Sequence, residues 1–182
     1  MKVYLIRHGL TRGNLEGRYI GCRTDEALCD EGMAQLKQKR APLVSRIYVS
    51  PMLRCVQSAE ILYPGSDVTE VPGFRECDFG DFEGRNYAEL NGRADYQAWI
   101  DSGGEMAFPG GESRKAFAER CVRAFDELDI WSAGEVCAVI AHGGTVMAIM
   151  EAYAKPAGSY FDFQIKCGEG YALDGGGSYE RI

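Results

Sequence analysis

Apolar positions fall into two kinds of run along this chain. Val3-Tyr4-Leu5-Ile6 and Val136-Cys137-Ala138-Val139-Ile140-Ala141 are short, continuous and β-rich, and each is cut off by a polar residue and glycine; such runs read as strands buried on both faces. Arg46 to Val49 and Val68 to Val71 read as further strands. Between them the period changes to that of helices: Glu31 to about Arg40 with Asp30 as N-cap and Pro42 beyond, Pro51 to about Leu62 behind Ser50, a helix capped by Ser113 with a stripe of Phe117, Cys121, Val122, Phe125 and Leu128, and one from about Gly144 to Ala154 with Val146, Ile149, Met150 and Tyr153 inward. Thr11 to Asn14 fits loop or a single helical turn, and two short helices are expected near Asn86 to Leu90 and Ala94 to Asp101. Tyr160 to Lys166, Tyr171 to Asp174 and Ser178 to Ile182 read as glycine-punctuated edge strands. Strands alternating with helices predict an α/β fold with a mainly parallel central sheet, helices on both faces and an antiparallel edge, and 182 residues make residues 1–182 one domain.

The two strongest strands end alike. Arg7-His8-Gly9 follows the first and His142-Gly143-Gly144 the second, and these are the only histidines in the chain. The carboxyl ends of strands are where open α/β sheets bind ligands, so the two imidazoles point to one shared site. Arg54, near the start of its helix beside Gln57 and Ser58, adds a cation next to free helix amides, as does the helix start after His142. The segment from Phe74 to Gly84 alternates aromatic residues with Glu76, Asp78, Asp81 and Glu83. A carboxyl group held against one of those rings would retain its proton for donation, and spacing alone does not choose among the four acids.

Composition narrows the chemistry. With 20 basic against 27 acidic side chains the net charge is −7, which argues against a general nucleic-acid binder while leaving room for a local cluster of arginines. Seven scattered cysteines without a C-x-x-C pair favour reduced thiols, hence a cytoplasmic protein, over disulfides or a zinc site. No apolar run has the length of a membrane span, and the four-residue run before Arg7 is too short for a secretory signal. Arginines and helix amides suit a phosphate. The P-loop lysine, the G-x-S-x-G elbow and the C-x5-R cysteine signature are all missing, which leaves a histidine nucleophile, an imidazole needing neither a metal nor a separate base. No metal and no cofactor are expected.

The chain resembles the histidine phosphatase superfamily, also called phosphoglycerate-mutase-like. The resemblance runs through Arg7-His8-Gly9 with Thr11 and Asn14, Gly21, Asp25, Leu28 and Gly32, Ser50 to Ala59, Arg75-Glu76, Phe79-Gly80, Phe82-Glu83-Gly84, Pro109 to Ser113, and Ala141-His142-Gly143-Gly144. It implies a three-layer α/β/α sandwich in which His8 is the phosphorylated nucleophile, Arg7, Arg54, His142, Asn14 and Gly143 bind the phosphoryl group, and Glu76 is the general acid. About 25 residues separate Gly84 from Pro109, where sugar-phosphate mutases of the family carry a longer insertion, so hydrolysis of a small phosphomonoester is expected. Glu76 to Gly80, Tyr87, Tyr96 to Trp99 and Pro109 to Ser113 are most similar to the α-ribazole phosphatases of cobalamin nucleotide-loop assembly, and Tyr87, Tyr96, Trp99 and Phe108 are candidate faces for a base-like ligand. A broad-specificity sugar-phosphate or nucleotide phosphatase, a phosphoglycerate mutase and a non-catalytic phosphate-binding protein are the other readings.

Overall fold

A computed structural model describes all 182 residues. Six strands form one sheet: β1 (Lys2–Arg7), β2 (Arg46–Val49), β3 (Thr69–Glu70), β4 (Val136–Ala141), β5 (Gly170–Asp174) and β6 (Tyr179–Arg181), in the order β3-β2-β4-β1-β5-β6. The first four lie parallel, and β5 and β6 add the antiparallel edge. Successive side chains alternate across the sheet. Val3, Leu5, Cys137, Val139 and Ala141 join the largest core cluster on one face, while Ile6, Ile47, Val49 and Ile140 pack on the other.

Helices cover both faces, completing the three-layer sandwich. α3 (Leu53–Leu62) closes one face with Cys55 and Ala59. α6 (Arg114–Asp126) and α8 (Gly143–Tyr153) close the other, with Phe125, Val146, Ile149 and Met150 inward. Phe117 and Cys121 of the α6 stripe are fully buried in a second cluster, whereas Val122 is half-buried, its place on the stripe taken by Ala124. The remaining helices are short: α1 (Arg12–Leu15), α2 (Asp30–Lys37), α4 (Tyr87–Leu90), α5 (Ala94–Asp101) and α7 (Ile130–Ala133), the last of which the sequence pattern does not announce.

Three expectations fail for identifiable reasons. Tyr160–Phe163 is a 3₁₀ turn and not a strand, because Ser159 and Asp162 form a capping box and the buried positions Tyr160 and Phe163 are three apart. Asp30 is the first residue of α2 and not its cap, which is Cys29, and the helix stops at Lys37. α3 starts at Leu53 behind Met52 and not at Pro51. The carboxylate of Asp25, from a distant loop, accepts the Leu53 amide at 2.7 Å in place of a local cap, and Ser50 is freed for other work. No helix is long and apolar enough to cross a membrane.

Candidate active site

Register brings the two histidines together. β1 and β4 pair from Lys2 with Val136 to Arg7 with Ala141, so His8 and His142 are the next residues on neighbouring strands. The His8 amide continues the ladder to the Ala141 carbonyl at 2.9 Å, and the imidazole centroids lie 5.2 Å apart. β2 stops beside them, and Ser50 at its end meets His142 Nε2 through its hydroxyl at 2.8 Å. Neither the hydroxyl partner nor its role is visible in the sequence.

His8 Nδ1 lies 2.7 Å from the Gly9 carbonyl. A carbonyl only accepts, so in the neutral ring Nδ1 carries the proton and Nε2 keeps a free lone pair. Both rings are held neutral. Burial pushes the imidazole pKa of His8 well below its ordinary value, with Arg54 and Arg7 adding repulsion, and the same causes act on His142. Gly9 serves packing and not ligand approach. Its amide is taken by Ser58 Oγ at 3.0 Å, and a side chain there would strike Leu36 at 2.7 Å, so the glycine serves packing of the β1 loop on α2.

Arg54 is the second residue of α3 and fully buried. It donates to the carbonyls of Thr24 at 3.0 Å and Gly21 at 3.2 Å, and its Nε has no protein partner. Arg7 donates to the Ile165 carbonyl at 2.8 Å, and its Nε is likewise unpartnered. Neither guanidinium has a carboxylate within ion-pairing distance, so two cations sit in a mostly buried site without a counter-ion. Asn14 ends the first turn of α1: its Oδ1 accepts the Thr11 amide at 3.2 Å, which leaves its NH₂ to act elsewhere.

Glu76 stands out from its three acidic neighbours. Asp78 pairs with Arg23 at 2.7 Å, Glu83 accepts the amides of Gly21 and Arg23, and Asp81 lies near Gly110 on the loop's outer side. Glu76 faces inward with Oε2 4.0 Å from His142 Nδ1, and Oε1 accepts the Cys77 amide at 2.9 Å. Burial raises its pKa above the ordinary carboxyl value, against the opposing pull of the Cys77 amide, Arg54 and Arg7. Gly144 makes this approach possible, since a Cβ there would lie 2.9 Å from the Glu76 carboxylate and 2.8 Å from the Phe117 ring. Gly143 covers the Arg7 guanidinium, 3.4 Å from where its Cβ would be.

Above these groups opens a cavity of about 410 Å³. Arg7, Glu76, Gly143 and Gly144 form its floor, and Tyr19, Phe79, Trp99, Phe108, Tyr160 and Phe161 are among its walls. Trp99 and Phe108 stack with centroids 4.9 Å apart. Two of the four expected aromatic faces are displaced: Tyr96 is buried behind Trp99, and Tyr87 is exposed away from the cavity. Tyr19, Phe79, Tyr160 and Phe161 take their place, drawn from segments whose approach only the tertiary fold creates. No cluster of three or more His, Cys, Asp or Glu side chains has the arrangement of a metal site, and all seven cysteines are free thiols.

Two strand-end imidazoles, two arginines without a carboxylate partner and a buried carboxyl group whose pKa is raised are the equipment of phosphoryl transfer. The chain belongs to the histidine phosphatase superfamily, branch 1, whose family model matches residues 3–177, and it is a phosphatase. Among curated proteins it is similar to an adenosylcobalamin/alpha-ribazole phosphatase of Salmonella typhimurium, 29% identical over 184 residues that cover 96% of this chain and 90% of that protein. Among solved structures it is similar to the alpha-ribazole phosphatase of Shigella flexneri (TM-score 0.83, 26% identity, covering 96% of this chain and 90% of that one). It is also similar to a phosphoglycerate mutase of Thermus thermophilus (TM-score 0.78, 30% identity, covering 100% of this chain and 98% of that one).

Proposed function

We propose that residues 1–182 form one domain that hydrolyses a phosphomonoester without a metal, through a phosphohistidine at His8. The observation that carries this reading is the His8 tautomer: a neutral ring whose Nδ1 proton goes to the Gly9 carbonyl, leaving Nε2 as the nucleophile. In the first step Nε2 attacks phosphorus while Glu76 gives its proton to the departing alkoxide, so the P–O bond breaks as the N–P bond forms. Arg7, Arg54, His142, Asn14 and the Gly143 amide hold the phosphoryl oxygens as charge builds. In the second step the Glu76 carboxylate takes a proton from water, which attacks phosphorus and returns the His8 lone pair.

The leaving alcohol is α-ribazole. Support comes from the named relatives and from the aromatic walls beyond Glu76, which suit an alcohol bearing a flat, apolar ring system. The test is release of inorganic phosphate, in excess chelator, from α-ribazole 5′-phosphate, p-nitrophenyl phosphate and 3-phosphoglycerate. A kcat/KM far higher for α-ribazole 5′-phosphate is the expected result. Comparable rates on all three esters would replace that substrate with a broad-specificity phosphatase and keep the phosphohistidine chemistry, and loss of all activity in chelator would overturn the metal-free mechanism.

A further inference from the structure

One ion pair outside the cavity grips the loop that carries Glu76 on both sides. Arg120 of α6 meets Glu112 with two parallel bonds, Nε to Oε1 at 3.0 Å and Nη2 to Oε2 at 2.8 Å. Its remaining Nη1 donates to the carbonyls of Gly73 at 2.8 Å and Arg75 at 2.9 Å, immediately before Glu76. Glu112 Oε2 accepts the amide of Asp78 at 2.9 Å, and the Glu112 amide donates to the Asp78 carbonyl at 2.9 Å, immediately after Cys77. Neither side chain lines the cavity.

Such a bidentate pair is directional, and a lysine or a neutral amide cannot reproduce all of its bonds. The guanidinium lies over the Phe117 ring at 5.2 Å, and Phe117 in turn packs against Gly144, whose closeness to the Glu76 carboxylate sets how that group meets α8. We propose that Glu112 and Arg120 are a positioning pair that holds the Glu76 carboxyl group in line with the departing oxygen. The proposal rests on the reading of Glu76 as proton donor.

Proton donation matters in proportion to how poor the leaving group is. A p-nitrophenolate departs as a stable anion, whereas the alkoxide of 3-phosphoglycerate needs its proton. Arg120→Lys keeps the cation and Glu112→Gln keeps the shape, and thermal melts of both establish that the proteins compared are folded. Each single variant is expected to lose about 10- to 100-fold in kcat on 3-phosphoglycerate, part of the range a general acid supplies. On p-nitrophenyl phosphate the loss should stay below about 3-fold, and the double variant should be no worse than the worse single one, as for residues acting as a unit. Equal losses on the two esters, or none, would overturn the positioning role. Glu76→Gln serves as the internal standard: if it shows no dependence on the leaving group, the proton-donor reading fails, and if it does while the pair variants do not, only the pair fails.

Discussion

The strand ends beneath the cavity and the walls around it are built by opposite means. Beneath the floor, His8, His142 and Ser50 are buried and follow directly from the ends of three adjacent strands, so the register of a hydrogen-bonded ladder fixes their backbones. Each ring is then oriented by one short bond, to the Gly9 carbonyl or the Ser50 hydroxyl. The walls come from loops and short helices that converge from Tyr19, Phe79, Trp99 and Phe108, and they are held by edge-on and stacked ring contacts between side chains and not by a backbone ladder. A phosphoryl group demands the same geometry from every substrate, and an alcohol does not. On the proposed reading, the ladder-fixed strand ends carry the chemistry and the aromatic walls carry the choice of ester.

Substitutions separate the two regions. The largest effect belongs to the strand ends: His8→Asn should lower kcat by about 10⁴-fold or more on every ester, p-nitrophenyl phosphate included, as expected for a lost nucleophile. Rapid-quench labelling should find no acid-labile phosphoryl group on the variant, and turnover with residual labelling would move the nucleophile elsewhere. Next comes the wall. Trp99→Ala should reduce kcat/KM for α-ribazole 5′-phosphate by about 10- to 100-fold, the range a reshaped apolar pocket supplies, while leaving 3-phosphoglycerate within about 3-fold; parallel losses would make Trp99 mere scaffold. A smaller, uniform effect is expected at Ser50→Ala. One lost bond to the buried His142 ring is worth about 1 kcal/mol, so steady-state kcat should fall roughly 5- to 10-fold on all esters alike. A loss confined to one ester would place Ser50 among the walls.

The mildest prediction is read in stability and not in turnover. His8 and His142 have imidazole pKa values lowered well below 6.5 in the folded protein, so an unfolded chain binds more protons than the folded one as pH drops through and below 6.5. Their contribution is complete above that pH and is lost toward the folded values, by up to about 1.4 kcal/mol per pH unit for each ring. Glu76, raised above 4.5, works the other way, because the folded state retains a proton there that the unfolded chain has released. Urea denaturation between pH 7 and 5.5 should show wild type losing stability faster than a His8→Asn variant. Equal slopes would mean that the His8 ring is not neutral by burial.

What the sequence could reveal follows the same division. Both strand-end histidines and Arg7 are readable because each depends on a local pattern: an apolar run, its abrupt end, and the glycine after it; Arg54 is readable as a cation near a helix start, and the order of the strands is not readable at all. The family motif further singles out Glu76, and in the folded chain it is the acid of the four that faces His142, a separation made by Gly144 and Phe117, both distant in sequence. Ser50 hides behind a plausible capping role, and only the fold shows Asp25 supplying the contact at the start of α3. The walls are least legible. Tyr87 and Tyr96 share a segment with Trp99 yet face elsewhere, and Tyr160 and Phe161 arrive from a tail whose capping box replaces the expected strand.

The two guanidinium groups without a carboxylate partner have an outcome for the resting protein. Arg54 is sealed from solvent and hydrogen-bonds only to backbone carbonyls, and the Arg7 Nε has no acceptor among the protein's own groups. A charge so placed is strongly drawn to any dianion of the right size, and orthophosphate is the one that every turnover leaves behind. On the proposed reading, in which Arg7 and Arg54 hold the phosphoryl group, catalysis would carry its own brake. The affinity that gathers the ester would then also retain the product, and added orthophosphate is expected to slow turnover.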